Sequence, residues 1–498
     1  MSTNHDFAIQ RIIKQFQYQE DKEELAKYTL LYKAIKASIH NRELPDHWLM
    51  PPTRTLSVAL GLSRTTVLKA YELLLLEKLI VSKAGSGNRV RYKSESTSSP
   101  KSPTNNTDGS GYPELSLKSQ SYLKNIKLIN RLPTNDVAFR PGLPPLDAFP
   151  VNQWKKLLNA YWRHIKSSGL TYSQSAGILE LKKSISNYLN VSRSVKCDPN
   201  QIVIVSGSLQ SLYLIANTLI NKGDKVILED PVFPNVHSVF KSSEAQLIPV
   251  GLDEEGIDIK ELSRSKNKSA KLVHVTPSNH YPLGVRMSLK RRQELLIWAS
   301  KNKALIIEND YENEIANSSD GIPTIFSLDN EDRTIYMGTF NRLLHPSIRL
   351  GYMIVPQYLI KAVEALQEHS HRFVSPSIQI VMNQFIERNY LYQHIEKSIA
   401  FAKARFQLFK SEFEEHCTSM YIQPTPFSSF HVLALFKEST TVEEEQEMIR
   451  KLGDLEITAF SLSKCYISKA KMTGLILGYS SVRPAVLKRK VKQMGKVL

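Results

Sequence analysis

Apolar positions follow a helical period near the start of the chain and a strand-like period further on, so the pattern divides the chain before any chemistry is considered. Leu31, Ile35 and Ile39 predict a helix that Leu44-Pro45 ends. Met50-Pro51-Pro52-Thr53 opens a second helix with Thr53 as the expected N-cap, and Leu56, Val58 and Leu60 carry it to Gly61, a turn glycine. Ser63 caps a third helix from Arg64. Its Val67, Leu68, Tyr71 and Leu74 are expected to face a core, leaving Arg64, Thr65, Thr66 and Lys69 toward solvent. An alternating run after Lys78 leads to the glycine-rich Ala84–Tyr92 stretch with basic flanks, a hairpin signal. Three helices followed by a hairpin is the order of a winged helix-turn-helix, assigned to residues 29–93. Residues 1–28 read as a polar, partly helical lead-in.

Residues 94–112 are poor in apolar side chains and rich in Ser, Pro, Asn and Gly, which predicts a flexible linker. Beyond it, Leu179, Leu181, Ile185 and Leu189 give one helix an apolar face. Four runs read as buried strands: Gln201–Ser206, Lys225–Asp230, Lys271–Thr276 and Ala304–Glu308, each separated from the next by helical stretches. Strands alternating with helices predict an α/β body with a mixed, mostly parallel sheet, assigned to residues 113–364. Residues 365–498 form a smaller α+β lobe with strand signals at Ser428–Val432 and Gly474–Tyr479.

Composition narrows the class of partner. The 498 residues carry 65 Lys and Arg against 48 Asp and Glu, a net charge of +17 that favours polyanions. Part of the excess is local. Arg54, Arg64, Lys69, Lys78, Lys83, Arg89, Arg91 and Lys93 face only Glu72 and Glu77 between positions 54 and 93. The basic Lys488–Lys496 segment reads as a solvated helix face. The three cysteines, Cys197, Cys417 and Cys465, are far apart and show no paired spacing, and the histidines fall in no metal-binding spacing. No metal site is expected. No apolar run reaches membrane-spanning length and the N-terminus lacks a secretory pattern, so a cytoplasmic protein with no membrane partner is expected.

Several motifs together carry a resemblance. Pro52-Thr-Arg54, Leu62–Val67, Ala70-Tyr-Glu72 and Gly85-Ser-Gly87 match the head, and Phe139–Pro145, Asp230–Pro234, Thr276–Gly284, Glu308–Glu314 and Tyr336–Tyr352 match the body, of the MocR-type branch of the GntR transcription regulators. The chain resembles that family over about residues 31–92 and 135–480. The resemblance implies a fold type I aminotransferase-like body, a head-to-tail homodimer and double-stranded DNA as partner. It implies DNA contacts at Arg54, Ser63, Arg64, Thr65, Thr66, Lys69, Lys83 and Arg89. In the pocket it implies a phosphate seat at Gly207, Ser208, Leu209, Asn341 and Arg349, a stacking ring at Phe233, and further lining at Tyr281, Asn309 and Tyr311.

The chain departs from the family's pattern at Asn279-His280, Leu283 and Asn341, and at two further positions that bear on the chemistry. The family's Gly-Thr-Phe-Ser-Lys segment reads Gly338-Thr-Phe-Asn-Arg342 here, so Arg342 stands where relatives hold pyridoxal phosphate as a Schiff base on lysine. A guanidinium is no amine nucleophile. Asn309 stands where relatives have the aspartate that bonds the pyridine nitrogen. An amide supplies no charge to that nitrogen. Arg342 can fill the lysine's space and pair with a carboxylate or phosphate, or lie at the surface. The expectation is a regulator without catalytic residues whose body dimerises and senses an effector, with pyridoxal 5'-phosphate held non-covalently at most. An aromatic phosphate or an amino-acid-like molecule is the effector class. The rival readings are a working pyridoxal-phosphate aminotransferase with an attached head, and a scaffold that binds nothing.

Overall fold

The computed structural model of the chain describes residues 2–20, 25–83, 87–91, 113–129, 138–264, 269–316, 321–425 and 429–498. They fall into two units, Met1–Glu114 and Leu115–Leu498.

The first unit contains helices α1 (Ser2–Glu20), α2 (Lys27–His40), α3 (Thr53–Leu60) and α4 (Arg64–Leu76), then strands β1 (Ile80–Lys83) and β2 (Gly87–Val90). The strands pair antiparallel from Ile80 opposite Val90 to Lys83 opposite Gly87. Gly61 ends α3 in the left-handed region at φ +64°, where its missing Cβ removes the usual strain. The Ser63 side chain then accepts from the Thr66 N–H and starts α4.

Three expectations for this unit need correction. Thr53 is the first helical residue rather than the cap; Pro52 sits at the cap and no side chain bonds there. Leu68 does not face the core, being 46% exposed, because Val67, Ala70, Tyr71 and Leu74 already fill the buried stripe of α4. The residues before 28 are not a lead-in outside the fold. Ala8, Ile9, Ile12 and Phe16 of α1 are buried in one cluster with Leu30, Leu31, Ile35 and Leu56, and the Phe7 ring lies 5.9 Å from Trp48. The expected linker at 94–112 and the hairpin tip at 84–86 lie outside the described residues.

The second unit is built on an eight-stranded sheet of β3 (Ile202–Val205), β4 (Lys225–Asp230), β5 (Gln246–Asp253), β6 (Gly256–Ile257), β7 (Leu272–Val275), β8 (Leu305–Asn309), β9 (Thr334–Thr339) and β10 (Gly351–Ile354). The order across it is β3-β10-β9-β8-β7-β4-β5-β6. The β5–β4, β4–β7, β7–β8 and β8–β9 pairs are parallel. β10 runs antiparallel to both β9 and β3. The sheet is therefore mixed and mostly parallel, and β3, β4, β7, β8 and β9 all end at one edge. Strands such as Ile202–Val205 are buried throughout, as expected of a sheet covered on both faces.

A second sheet of β11 (Met420–Ile422), β12 (His431–Phe436), β13 (Phe460–Ser461) and β14 (Gly474–Gly478) has the order β11-β12-β14-β13. The Ala138-Phe139 segment packs into this lobe's core beside Phe409, Phe413 and Tyr479 rather than with the large sheet. The Pro376–Glu387 helix instead joins the large core through Val381, Met382 and Phe385. The two lobes thus exchange segments across the boundary expected near 364. In the Leu179–Arg193 helix, Leu181, Ile185 and Leu189 are buried, but Leu179 is 41% exposed at its first turn.

Among the described residues no helix is long and apolar enough to cross a membrane. No group of three or more His, Cys, Asp or Glu among them could hold a metal ion.

The burial of α1 makes a stability prediction. Ile12→Ala removes a fully buried side chain from the cluster that joins α1 to α2. It should destabilise the first unit by about 2–5 kcal/mol, seen by calorimetry of the whole chain as an earlier transition for that unit. An unchanged melt would show that α1 contributes nothing to its core.

Candidate functional site: an exposed recognition helix and a cavity at the sheet edge

In the first unit the expected contacts cluster at the start of α4. Arg64, Thr65 and Lys69 are exposed and Thr66 is half-buried. The Ser63 hydroxyl lies 2.8 Å from the hydroxyls of both Thr65 and Thr66, so the three form one polar cluster at the helix N-terminus. The Lys69 ammonium sits 5.6 Å from the Tyr28 ring centre, which orients a long side chain before any contact is made. Arg54 is exposed in the first turn of α3. Arg89 is half-buried and donates to the His47 carbonyl at 3.0 Å, which ties the hairpin to the preceding loop. The Lys83 side chain lies outside the described residues.

In the second unit the C-terminal edge of the parallel strands opens on a cavity of about 260 Å3. Crevices at this edge are where open α/β sheets take ligands. Ser208, Leu209, Phe233 and Tyr281 line it, as do Asn309, Tyr311, Asn341, Arg342 and Arg349. These positions are scattered over about 140 residues of chain, and the sheet brings their strand ends together. Gly207 lies at its margin with φ +126°, and a Cβ there would meet the Asn341 amide at 2.4 Å.

One end of the cavity is suited to an anion. The Ser208–Leu219 helix starts there with its first N–H groups pointing outward. The Arg349 guanidinium lies within 3.9 Å of where a Gly207 Cβ would be. Asn341 is pinned beside it, its Oδ1 accepting from the Leu350 N–H at 2.9 Å.

The middle of the cavity is aromatic and under-satisfied. Phe233 stands edge-on to Tyr281 with ring centres 4.9 Å apart. The buried hydroxyls of Tyr281 and Tyr311 have no hydrogen-bond partner among the described residues. A buried hydroxyl without a partner is costly, and two of them facing one cavity point to a ligand. The Asn309 Nδ2 lies 3.4 Å from the His274 Nε2. Burial pushes His274 down to about 3, so its ring is neutral.

Arg342 occupies the other end and is not a surface residue. Its side chain is 20% exposed, and it bonds Glu312 Oε1 through Nη1 at 3.2 Å. Glu312 is fully buried at the side chain and adopts φ +56°. Its other oxygen accepts from the Ser429 hydroxyl at 2.6 Å. The Arg342 guanidinium also lies 5.4 Å from the Tyr311 ring centre. The neighbouring His431 is pushed down to about 3, by burial first and by Arg342 second.

Several of these residues escaped the sequence reading. Arg140, Gly142, Asn235, Thr276 and Thr339 also line the cavity. Arg140, Gly142, Thr276 and Thr339 belong to segments already singled out, so proximity to a motif was the available signal. Glu312 lies within the Glu308–Glu314 motif. Nothing in the sequence linked it to Ser429. Asp310 plays a structural part: it accepts from Arg193 Nε at 2.9 Å and the Tyr336 hydroxyl at 2.6 Å beneath the cavity.

A fold of this kind, with a winged helix-turn-helix before a fold type I aminotransferase body, defines a class of regulator built from an enzyme scaffold. Residues 137–467 match the family Aminotransferase class I and II, and residues 27–90 match the bacterial regulatory proteins of the gntR family. The chain is 28% identical over 466 residues to the probable rhizopine catabolism regulatory protein MocR of Rhizobium meliloti, covering 93% of this chain and 92% of that one. It is 31% identical over 377 residues to the uncharacterized HTH-type transcriptional regulator YdeL of Bacillus subtilis, covering 74% and 75%. The body superposes on kynurenine aminotransferase of Pyrococcus horikoshii with a TM-score of 0.66 at 24% identity, over 77% of this chain and 94% of that one. The chain belongs to the aminotransferase class I and II family in its body and, with its GntR-type head, is a transcription regulator of the MocR type.

Below the cavity, Glu229 takes hydrogen bonds from both the Thr276 N–H and hydroxyl, at 3.0 and 2.9 Å. Burial nevertheless pushes its carboxyl from 4.5 up to about 8. The folded protein therefore keeps a proton that the unfolded chain releases, and this contribution to stability is full below about pH 4.5 and lost as pH rises through about 8. Glu229→Gln keeps an acceptor for Thr276 and removes the titration. Relative to the native chain, the variant should gain on the order of 1 kcal/mol per pH unit across that window, measured by urea unfolding at several pH values. A pH-independent difference would show that Glu229 does not titrate there.

Proposed function

We propose that the head binds a duplex operator as part of a homodimer, while the body senses a small molecule and does not turn amino acids over. The carrying observation is Arg342, seated in the cavity against Glu312 at the position where the family's attachment lysine is expected. A guanidinium offers no amine lone pair for attack on a carbonyl. On this reading a ligand in the cavity is held by contacts alone, and a cytoplasmic location is inferred from DNA as partner.

The residues present suit pyridoxal 5'-phosphate as that ligand. The Ser208 helix N-terminus and Arg349 would take the phosphate, Phe233 would flank the ring, and the unpartnered Tyr311 hydroxyl would bond the ring hydroxyl. When bound, the cofactor supplies an aldehyde and an electron-withdrawing ring. Asn309 would accept from a ring N–H through its oxygen but adds no charge to hold that proton. The solved Pyrococcus horikoshii enzyme is a complex with PMP, which supports a ligand of this class. Steady amino-acid conversion would favour the enzyme reading instead.

In the head, Arg64 at the first turn of α4 and Arg54 in α3 would engage phosphates or guanine edges, with Thr65 and Thr66 beside base edges. Ser63, Lys69, Arg89 and Lys83 complete the proposed contact set.

Two measurements test these readings. Arg64→Ala should weaken operator binding by about 1–3 kcal/mol in a fluorescence anisotropy titration; unchanged binding in both Arg64→Ala and Arg54→Ala would refute this docking. The native protein with pyridoxal 5'-phosphate should bind reversibly, release ligand on dialysis, and show no borohydride-fixed adduct by mass spectrometry. A fixed adduct in the cavity, or catalysed conversion of an amino acid to its keto acid, would contradict the non-covalent reading.

A further inference from the structure

Most of the chain's positive charge lies outside the head. Residues 1–114 carry 16 Lys and Arg against 12 Asp and Glu, whereas residues 115–498 carry 49 against 36. Two stretches of the body hold a surplus equal to that whole difference. Residues 151–179 contain four Lys and Arg and no acidic residue, and residues 457–498 contain nine and none. A face kept only for solubility interleaves both signs. Two long stretches without one carboxylate are a different pattern.

Each stretch contains a helix with one basic side. In the Val151–His164 helix, Asn152, Lys155, Lys156, Asn159 and Arg163 are exposed. At 3.6 residues per turn they share a side. On the other side Leu157 is buried and the Trp154 ring lies 5.4 Å from Phe385. Trp162, 55% exposed, brings an indole N–H to the basic side. In the Pro484–Met494 helix, Leu487, Lys490, Val491 and Met494 are buried. Arg489 and Lys492 are exposed opposite them, and Lys496 is exposed just past the last turn. Two further bases of this run serve the fold. Lys490 donates to the Leu455 carbonyl at 2.6 Å and pairs with Glu456 at 3.1 Å, and Lys488 lies 3.5 Å from Glu412. Among the described residues, Lys155, Lys156, Arg163, Arg489, Lys492 and Lys496 have no ion pair. The two helices also start from one point. Arg405 Nη2 lies 2.6 Å from Asp147 Oδ2, four residues before the first helix, and its Nη1 donates to the Ser480 carbonyl, four residues before the second.

We infer that these two basic helix sides form a second DNA-contacting surface, on the body, which takes the phosphates of duplex lying outside the half-sites held by the head. This goes beyond the proposed role of the head and rests on it for the presence of DNA. Phosphate contacts position a protein without reading base edges, so they need charge and reach alone. Long Lys and Arg side chains with no carboxylate partner supply both. Because head and body are one chain, duplex held by the head is at high effective concentration for the body. Weak contacts then add to the hold. Each phosphate neutralised also releases counterions and makes binding more dependent on salt.

The test uses the whole chain and two duplexes in anisotropy titrations at several salt concentrations. One is an operator selected from random-sequence duplex and trimmed to its half-sites. The other is the same operator with unrelated sequence on each side. The flanked duplex should bind about tenfold or more tightly at low salt, and its log K should fall more steeply with log salt, by about 0.9 for each further phosphate neutralised. A variant combining Lys155→Gln, Lys156→Gln, Arg163→Gln, Arg489→Gln, Lys492→Gln and Lys496→Gln should bind both duplexes equally, with affinity for the trimmed one unchanged. A charge-matched control combining Lys222→Gln, Lys260→Gln, Lys290→Gln, Lys301→Gln, Lys303→Gln and Lys361→Gln, all exposed positions of the body, should keep the difference. Equal affinities in the native chain, a difference that survives the first variant, or its equal loss in the control would overturn the surface. Binding of poly-L-glutamate through the same six residues, with no gain from flanking duplex, would assign the two sides to an acidic protein and overturn it too. Failure of the native chain to bind even the trimmed operator would refute the role of the head, and this surface with it.

Discussion

The contact on which the body's chemistry depends is the ion pair between Arg342 and Glu312. A fully buried carboxylate needs a counter-charge and hydrogen bonds on both oxygens, and Glu312 gets them from Arg342 and Ser429. Ser429 belongs to the segment entering β12 of the small lobe, and Arg342 follows β9 of the large one. The pair and the Ser429 bond therefore tie the two lobes of the same unit together beside the cavity. Gly142 supplies the third side, from a loop whose preceding residues pack in the small lobe. Removing the arginine would leave a buried charge, so the position is held by folding as well as by any ligand.

On the proposed reading, that contact accounts for an enzyme-like scaffold keeping a seat for a ligand without covalent attachment. The proposed phosphate end is made of a helix N-terminus, a turn glycine and the Arg349 guanidinium. The ring position relies on Phe233 and two tyrosine hydroxyls buried without partners. These features draw on strand ends of the large sheet, and the Tyr311 ring also packs against Arg342. On that reading binding and bond formation are separable, and the head gives binding something to control. A ligand alters DNA affinity only to the extent that it binds two states of the protein unequally.

Much of this was legible in the sequence because local chemistry and global fold agree at those points. Gly61 and Ser63 announced the turn and the recognition helix through backbone strain and capping. The β-branched runs at Ile202–Val205 and Leu272–Val275 read as buried strands and are. The first helix was read only as a partly helical lead-in because its Gln and charged residues obscured Ala8, Ile9, Ile12 and Phe16, whose spacing did mark one face. Leu68 was misplaced because an apolar residue beside Val67 points to the neighbouring face of a helix. At the cavity, residues within recognisable motifs could be named in advance. The Glu312–Ser429 bond and the Gly142–Arg342 notch could not, since they join segments more than a hundred residues apart and exist only after the lobes close.

The most direct test is the mass of the protein with the double substitution Arg342→Lys and Asn309→Asp, after incubation with pyridoxal 5'-phosphate and borohydride. If the cavity keeps the seat and the residues at 342 and 309 govern attachment, one phosphopyridoxyl group becomes fixed on the peptide carrying position 342, while the native protein gains none. A double variant that gains no adduct there, although it remains folded, would contradict the account.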